Sequence, residues 1–331
     1  MKKRIFAIFL LCVLVFSCKQ SESSISLNTV LSGDVFGTYY RITYNSNINY
    51  QKQVDSLFKE INTSLSTYQI DSDISKLNRN ELNTIDNHFV NVFKASKLIY
   101  KETNGAFDPT IGNVVNAWNF GAEQNKFLTD STTIDSLMQF VGFNELKLKN
   151  SYTIEKPKTT YLEFNAIAKG YAVDVIANFL SEKSIKNLLV DIGGELHAKG
   201  INKDKSKPWT VGIDDPNFDG TQTYSKVISL QDEAMATSGT YRKFKIDENG
   251  NRYAHIIDTK TGYPSKTNLL SISVIAKDCM TADGYATAFK TMGIEKVKLF
   301  LKTHPELKVY LIFENDEKDL ETLALNGFPQ K

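Results

Sequence analysis

Residues 281–293 read TADGYATAFKTMG, and the rest of the chain is organised around this stretch. The pattern predicts a helix that Thr281 caps, with Asp283 in the first turn and Gly293 at the end. Asp283 and Thr287 are four residues apart, so their side chains share one face of the helix. A carboxylate beside a hydroxyl suits a hard cation such as Mg²⁺. An ordinary capped amphipathic helix is the alternative interpretation.

The beginning of the chain has the composition of an export signal. Three basic residues at positions 2–4 precede an apolar run over residues 5–16, which is too short to span a bilayer. A small residue directly before Cys18 resembles a bacterial lipobox. We therefore expect a lipoprotein signal peptide over 1–17, a lipid anchor at Cys18 and a tether over 18–30. The lipoprotein would face the periplasm from a membrane of the cell envelope; an ordinary secretory peptide is the alternative.

Charge and cysteine content narrow the class of protein. The formal charge of +1 becomes −2 once the three basic residues of the signal are removed, and no basic cluster suggests nucleic-acid binding. Cys12 lies in the signal and Cys18 would carry the lipid, so Cys279 has no partner for a disulfide. The domain, which we place at residues 31–331, must therefore be held by its own core.

Periodicity along the chain indicates the fold class. Apolar residues recurring every three to four positions predict helices over 50–68, 88–103, 111–118, 130–141, 171–183 and 281–302. Alternating or continuous apolar runs predict strands over 34–44, 152–164, 188–192, 209–214, 226–230, 254–257, 270–275 and 308–313. Residues 236–241 are predicted to form a turn. The irregular order of these elements favours an α+β fold with mixed sheets over a doubly wound one.

Two short segments are nearly identical. Residues 168–172 read AKGYA and residues 282–286 read ADGYA, and each is predicted to lead through a helix to an apolar strand. This echo suggests an internally duplicated unit, although five residues can match by chance. In a duplicated unit, two helix beginnings would face one site, one bringing the cation of Lys169 and the other the carboxylate of Asp283. A phosphate group paired with a metal ion needs that combination.

Several other features leave two interpretations open. Lys169 at a helix beginning repels the helix dipole, so a phosphate partner is a reason for its presence there. Gly193 and Gly194 either let the backbone approach a ligand or form a tight turn. Asp108 either binds a ligand or forms an Asx turn before Pro109.

Common catalytic motifs do not occur in the sequence. It has no Walker A motif, no Gly-x-Gly-x-x-Gly after a strand, no HExxH or paired-cysteine zinc pattern and no Gly-x-Ser-x-Gly elbow. His255 lies in an apolar stretch. It is either a general base or a core histidine whose ring nitrogens are hydrogen-bonded.

Seven motifs in a fixed order resemble the ApbE family, the FAD:protein FMN transferases. They are FGT at 36–38, GAFDPT at 105–110, AIAKGYA at 166–172, DIGG at 191–194, ATSG at 236–239, HIID at 255–258 with TGYP at 261–264, and TADG at 281–284. Each motif is weak alone, but seven in order are specific. The resemblance implies an ApbE-like fold.

The resemblance also implies site residues. Mg²⁺ would be held by Asp283, Thr287 and the main-chain carbonyl of Ala166. FAD, as the substrate, would lie along Phe36, Ala106, Phe107, Asp108, Glu163, Lys169 and Ile257. Three positions depart from the family pattern, because Phe36 replaces a methionine, Glu163 an aspartate and Asn165 a glycine.

The implied reaction is a Mg²⁺-dependent transfer of FMN from FAD to a threonine hydroxyl of a target protein, with AMP as the leaving group. His255 is the candidate general base. The family's acceptors include flavin-bearing subunits of membrane redox complexes. Two alternatives remain open from the sequence: a metal-dependent FAD pyrophosphatase that gives FMN and AMP, and a non-enzymatic flavin-binding lipoprotein.

Overall fold

The structure is a computed structural model that describes residues 28–123, 130–217, 223–239, 244–246 and 252–330. The predicted signal peptide and Cys18 lie outside the described residues. Within the described ranges, no helix has both the length and the apolarity needed to cross a membrane. The first described strand begins at Asn28, so the last three residues of the predicted tether belong to the folded domain.

The described helices are α1 (Gln51–Leu65), α2 (Asp73–Asn78), α3 (Asn87–Glu102), α4 (Gly112–Ala117), α5 (Ser131–Met138), α6 (Ala168–Glu182), α7 (Cys279–Met292) and α8 (Ile294–Leu301). A short 3₁₀ helix covers Phe143–Glu145. The strands are β1 (Asn28–Val35), β2 (Thr38–Asn45), β3 (Lys147–Lys149), β4 (Thr153–Glu155), β5 (Leu188–Ile192), β6 (Glu195–Lys199), β7 (Trp209–Asp214), β8 (Tyr224–Leu230), β9 (Glu233–Gly239), β10 (Phe244–Ile246), β11 (Arg252–Ala254), β12 (Leu269–Ala276), β13 (Lys308–Glu314) and β14 (Leu320–Leu325).

One antiparallel sheet organises the molecule. Its strands lie in the order β1-β2-β5-β6-β9-β12-β13-β14, while β3-β4, β7-β8 and β10-β11 form separate pairs. Each half of the sheet follows the same sequence along the chain: two strands, a central helix and a two-stranded hairpin. The central helices are α6 and α7, which contain the two matching segments at 168–172 and 282–286. The topology therefore agrees with the duplication that the echo suggests, and the α+β fold class is confirmed.

Among the described residues, three apolar clusters hold these layers together. The largest lies between the sheet and the helices, where small residues such as Ala172 and Ala286 let α6 and α7 pack closely. A second lies on the opposite face, where Trp209 of the β7-β8 pair packs with Leu196 of β6. A third surrounds Trp118, whose indole N–H donates to the Gly262 carbonyl at 2.8 Å.

Side chains alternate between the two faces of the sheet along β6. Leu196 therefore points to the face of the β7-β8 pair, and Glu195 and His197 point to the face that the helices cover.

The sequence pattern predicts one strand over 34–44, broken at Gly37, and the single strand is wrong because β1 and β2 form a hairpin there. Phe36 and Gly37 make its two-residue turn, with φ angles of 51° and 74°. Positive φ at both positions is typical of a turn that matches the twist of the flanking strands. Gly37 marks an interruption in the sequence pattern, but phenylalanine rarely adopts this conformation, so the pattern did not predict a turn at Phe36. The Phe36 ring packs edge-on against Phe58, with the centroids 5.6 Å apart.

The predicted turn over 236–241 is wrong for residues 236–239, which continue strand β9, while residues 240 and 241 lie outside the described residues. Ala234 and Ala236 are fully buried in the main core. Their small side chains allow the close approach of α7, which packs directly on this strand. The prediction treated small residues as turn formers, whereas in this strand small side chains are needed so that α7 can pack closely on the sheet.

Several boundaries also differ from the sequence pattern. Helix α7 begins at Cys279, and its cap is Asp278, whose Oδ1 accepts from the Thr281 backbone N–H at 2.8 Å. Thr281 is therefore not the cap, and Asp283 lies beyond the first turn. Helix α6 begins at Ala168 rather than at position 171. Within 152–164 only Thr153–Glu155 is a strand, and β11 ends at Ala254, before His255.

Candidate active site

A cavity of about 570 Å³ lies at the beginning of α6 and beside α7. The turn between β5 and β6, the β7-β8 pair and the loops around residues 106–109 and 255–259 complete its wall. Every predicted site residue except Phe36 lines it: Ala106, Phe107, Asp108, Glu163, Ala166, Lys169, His255, Ile257, Asp283 and Thr287. Phe36 lies in the β1-β2 turn and is not among the described residues of the cavity wall.

Asp283 joins the two central helices at the cavity. Its side chain is buried, and its Oδ2 accepts from the Gly170 backbone N–H at 3.0 Å. A Cβ added to Gly170 would lie 2.4 Å from the Cys279 carbonyl oxygen, so only glycine allows this approach of α6 to α7. Burial raises the pKa of the Asp283 carboxyl, although the charge of Lys169 and the bond from Gly170 oppose that shift.

Lys169, the second residue of α6, pairs with Glu195 at the start of β6. Burial lowers the pKa of the Lys169 ammonium, but the carboxylates of Glu195 and Asp283 raise it, and the carboxylates prevail. Burial raises the pKa of the Glu195 carboxyl to about 7 despite the nearby lysine. The Oε2 atom of Glu195 is buried without a hydrogen-bond partner. One cation therefore serves two buried acids, and the site has capacity for additional positive charge.

The oxygen atoms near Asp283 form a sparse donor set for a metal ion. Thr287 lies one turn further along α7, and its Oγ1 is 3.3 Å from Ser238 Oγ. Ala166 precedes α6 on the same cavity wall. The described residues contain no cluster of three or more His, Cys, Asp or Glu side chains that could hold a metal. One carboxylate, one hydroxyl and one carbonyl fit Mg²⁺, which is typically bound by one or two carboxylates together with substrate phosphates.

Asp108 both shapes the cavity and faces it. Its Oδ1 accepts from the Thr110 backbone N–H at 2.9 Å and from Thr110 Oγ1 at 2.6 Å, so the predicted Asx turn is confirmed. Its Oδ2 accepts from the Phe143 N–H at 3.4 Å. Burial raises the pKa of this carboxyl, and these hydrogen bonds counteract the shift. The turn orients the preceding residues, Ala106 and Phe107, along the cavity wall.

Two of the departures from the family pattern contact each other. The Asn165 amide donates to Glu163 Oε2 at 2.8 Å, and both residues line the cavity. A glycine at position 165 would leave the longer glutamate without this partner. The two substitutions together hold the carboxylate in place.

His255 lies in a bend just after β11 rather than inside a strand. Its ring centroid is 6.3 Å from that of Phe120, and both residues line the cavity. Ile257 continues this wall and bridges to Pro264 across the loop. The loop therefore places an imidazole on the wall of the cavity that Lys169 and Asp283 also line.

Sequence reasoning missed several residues of the cavity wall. Glu195 lies immediately after Gly194, and a glutamate directly after the Gly193–Gly194 pair was the available signal. Gly193 and Gly194, for which the sequence left a tight turn and an approach to a ligand open, have φ angles of 62° and 97°, so they form a tight turn, and they also line the cavity. Tyr68 lies at the rim of the cavity, where partial desolvation, followed by the charge of Glu163, raises the pKa of its phenol.

A family model described as the ApbE family matches residues 36–311. The chain belongs to the ApbE family. A relative from Haemophilus influenzae, named FAD:protein FMN transferase, is 35% identical over 95% of this chain and 91% of its own. A protein of the same name from Vibrio cholerae is 33% identical over 87% of this chain and 88% of its own. These names confirm that this ApbE chain is a transferase and that its reaction moves a flavin from FAD to a protein.

Solved structures agree with this assignment. The flavin transferase ApbE from Vibrio cholerae superimposes with a TM-score of 0.80 at 33% identity, covering 90% of this chain and 96% of that one. The apbe protein from Thermotoga maritima gives a TM-score of 0.77 at 26% identity, covering 89% and 96%. The ApbE-like fold that the motifs imply is therefore confirmed.

Proposed function

We propose that this ApbE protein transfers FMN from FAD to a threonine hydroxyl of an acceptor protein, that the transfer depends on Mg²⁺, and that AMP is released. One observation carries the proposal: Lys169 and Asp283 lie at one cavity, on two helices that touch at Gly170. A diphosphate between them would meet a fixed cation on one side and a metal ligand on the other. Phosphoryl transfer relies on this kind of positioning and charge neutralisation.

The metal ligands of the proposal are Asp283, Thr287 and the Ala166 carbonyl. Mg²⁺ bound there would neutralise charge on the phosphate oxygens of FAD. Lys169 would hold a second phosphate oxygen, and Glu195 keeps the lysine side chain directed into the cavity. Because the protein supplies only one carboxylate, we expect the metal to bind more tightly when FAD is present.

The flavin and nucleotide ends of FAD would be held by the remaining wall. Ala106, Phe107, Asp108 and Ile257 offer apolar surface and one carboxylate, and Glu163 with Asn165 offers a polar corner. Phe36 would have to reach the flavin from the β1-β2 turn, so its contact with FAD stays a prediction.

The bond changes follow from the substrate. The threonine Oγ attacks the phosphorus on the FMN side, the bond from that phosphorus to the bridging oxygen breaks, and AMP leaves with that oxygen. The threonine proton goes to a base, for which His255 is the candidate. A positioned base contributes roughly 10²–10⁴-fold to such a step.

The test is a turnover assay with the protein, FAD, Mg²⁺ and a threonine-bearing acceptor peptide. We expect a peptide heavier by one FMN phosphoester, together with one AMP for each FMN transferred. A matched peptide with alanine in place of the threonine should gain no mass. Production of FMN and AMP without modification of the peptide would show a pyrophosphatase instead. Binding of FAD without either reaction would show a flavin-binding protein.

The location and the partners are part of the proposal. We propose that Cys18 carries a lipid that anchors the protein to a membrane of the cell envelope, with the domain facing the periplasm. The sequence pattern of residues 1–18 supports this. The corresponding acceptors are threonine-bearing subunits of membrane redox complexes.

A further inference from the structure

A carboxylate behind the cavity joins the helices that carry Lys169 and Asp283. Asp174 of α6 is 7% exposed and is not among the described residues that line the cavity. Its Oδ1 accepts from the Cys279 backbone N–H at 2.9 Å, and its Oδ2 from that of Met280 at 2.8 Å. These N–H groups begin α7 and have no acceptor inside their own helix. Asp174 therefore fixes the beginning of α7 from the side of α6.

His197 ties the same carboxylate to the sheet. Its Nδ1 lies 2.7 Å from Asp174 Oδ1, and both side chains are buried. Because the carboxylate also accepts from two backbone N–H groups, we assign the hydrogen to Nδ1, which donates. One buried carboxylate thus connects β6, α6 and α7.

The hydrogen bond at the cavity runs parallel to this connection. Gly170 lies one turn before Asp174 on α6, and Asp283 lies one turn after Cys279 on α7. The Gly170–Asp283 and Asp174–Cys279 hydrogen bonds are therefore successive links between the same two helices. A shift of α7 at the buried link would displace Asp283 at the cavity.

We propose that Asp174 and His197 are positioning residues, which hold α7 against α6 so that Asp283 and Lys169 face the same phosphate groups. Neither residue touches the cavity, so they act through the placement of α7. The inference rests on the proposed function where it assigns a metal ion to Asp283. Partners that orient a metal ligand in this way typically change metal affinity or activity by about 10–100-fold when removed.

The experiment compares four variants of the full chain. Asp174→Asn replaces one acceptor oxygen with an N–H₂ group that cannot accept, and His197→Leu removes the donor. His197→Asn places an amide nitrogen close to the position of Nδ1 and should restore the contact. Lys199→Met is the matched control, because Lys199 lies on the same face of β6 and its hydrogen bonds run to Asn178 and Ser181 of α6.

Two measurements follow the placement of α7. Hydrogen exchange of the Gly170 amide reports on the link to Asp283 and does not depend on any reaction. Calorimetric titration with Mg²⁺ in the presence of FAD reports on the metal site. We expect Asp174→Asn and His197→Leu to accelerate the exchange about 10-fold or more and to weaken Mg²⁺ about 10–100-fold. His197→Asn should lie close to the wild type, and Lys199→Met should match it.

Wild-type Gly170 exchange in Asp174→Asn and His197→Leu, with only a lower melting temperature, would overturn the inference. If Asp174→Asn does not fold, the comparison of His197→Leu with His197→Asn decides by the same criterion. A wild-type protein that binds no Mg²⁺ would contradict the proposed function, and Gly170 exchange would still decide whether Asp174 and His197 place α7.

Discussion

At the residue scale, Asp283 has two roles that a substitution must separate. Its Oδ2 accepts from the buried Gly170 N–H, and its carboxylate faces the cavity. Truncation to alanine would remove a metal ligand and also leave that N–H unpaired, which costs about 1–3 kcal/mol. Asparagine keeps an acceptor for Gly170 but removes the charge.

We predict that Asp283→Asn lowers Mg²⁺-dependent turnover by roughly 10²-fold or more, while its melting temperature stays close to that of the wild type. Asp283→Ala should lose turnover and stability together. Initial rates at several Mg²⁺ concentrations and thermal melts of both variants check this. A fully active Asp283→Asn would remove Asp283 from the reaction.

Lys169 offers a second test at this scale. We predict that Lys169→Ala weakens FAD about 10-fold or more, through loss of a charge-assisted phosphate contact, and leaves riboflavin binding nearly unchanged. Fluorescence titration with both ligands separates these effects, and Lys199→Met serves as a charge-matched control away from the cavity. Equal weakening of both ligands would argue against a phosphate contact.

At the scale of single elements, α7 contains a buried charge as well as the site residues. Lys290 is 1% exposed, and its Nζ donates to Thr267 Oγ1 at 3.0 Å. Burial lowers the pKa of its ammonium to about 8. Below that pH the folded protein carries the full cost of a buried charge. Between about 8 and the ordinary lysine pKa near 10.4, the unfolded chain binds more protons, so stability rises with pH.

We predict that Lys290→Met raises the melting temperature at pH 7 by a few degrees, since it removes a desolvation cost on the order of 2–3 kcal/mol, offset in part by the lost hydrogen bond. The gain over the wild type should shrink between pH 8 and 10. Calorimetric melts across this range check the prediction, and the exposed Lys296→Met is the matched control. A gain that does not vary with pH would mean that packing rather than charge is responsible.

The sequence predicts the position of a helix or strand correctly where the pattern of apolar residues alone determines it. The spacing of Val54, Phe58 and Ile61 places α1, and the apolar run at Leu188–Ile192 places β5. Predictions were wrong where contacts between distant parts of the chain determine the local conformation. Asp278 rather than Thr281 caps α7, and Phe36 adopts a left-handed turn that local preference disfavours.

At the scale of the whole molecule, the site lies where the two halves of the sheet meet, between β6 and β9. The motifs that resemble the family identified residues of the cavity wall such as Ala106 and Ile257. The sequence did not identify Glu195 as a site residue, because its partner, Lys169, is distant in the chain and contacts it only after α6 packs on β6. Asp174 and His197 were not identified for the same reason.

The predicted anchor is tested at this scale. We predict that Cys18→Ser abolishes incorporation of labelled palmitate in a bacterial host and moves the protein from the membrane to the soluble fraction. Transfer of FMN to an acceptor peptide in solution should be unchanged, because every residue of the cavity wall lies after Asn28, in the part of the chain that the structure describes. Membrane retention of the variant without label would contradict a lipid anchor at this position.

The first residue of α7 also has a practical consequence. Cys279 is fully buried, its thiol lies 3.7 Å from the Met235 carbonyl oxygen, and burial raises the pKa of the thiol well above its ordinary value. Reactivity requires the thiolate and access, and Cys279 has neither. A chain that starts after Cys18 therefore has no reactive thiol, because Cys279 is its only cysteine. A cysteine introduced at the exposed rim residue Tyr224 would take up a maleimide fluorophore selectively, and its emission would report in real time on the arrival of an acceptor.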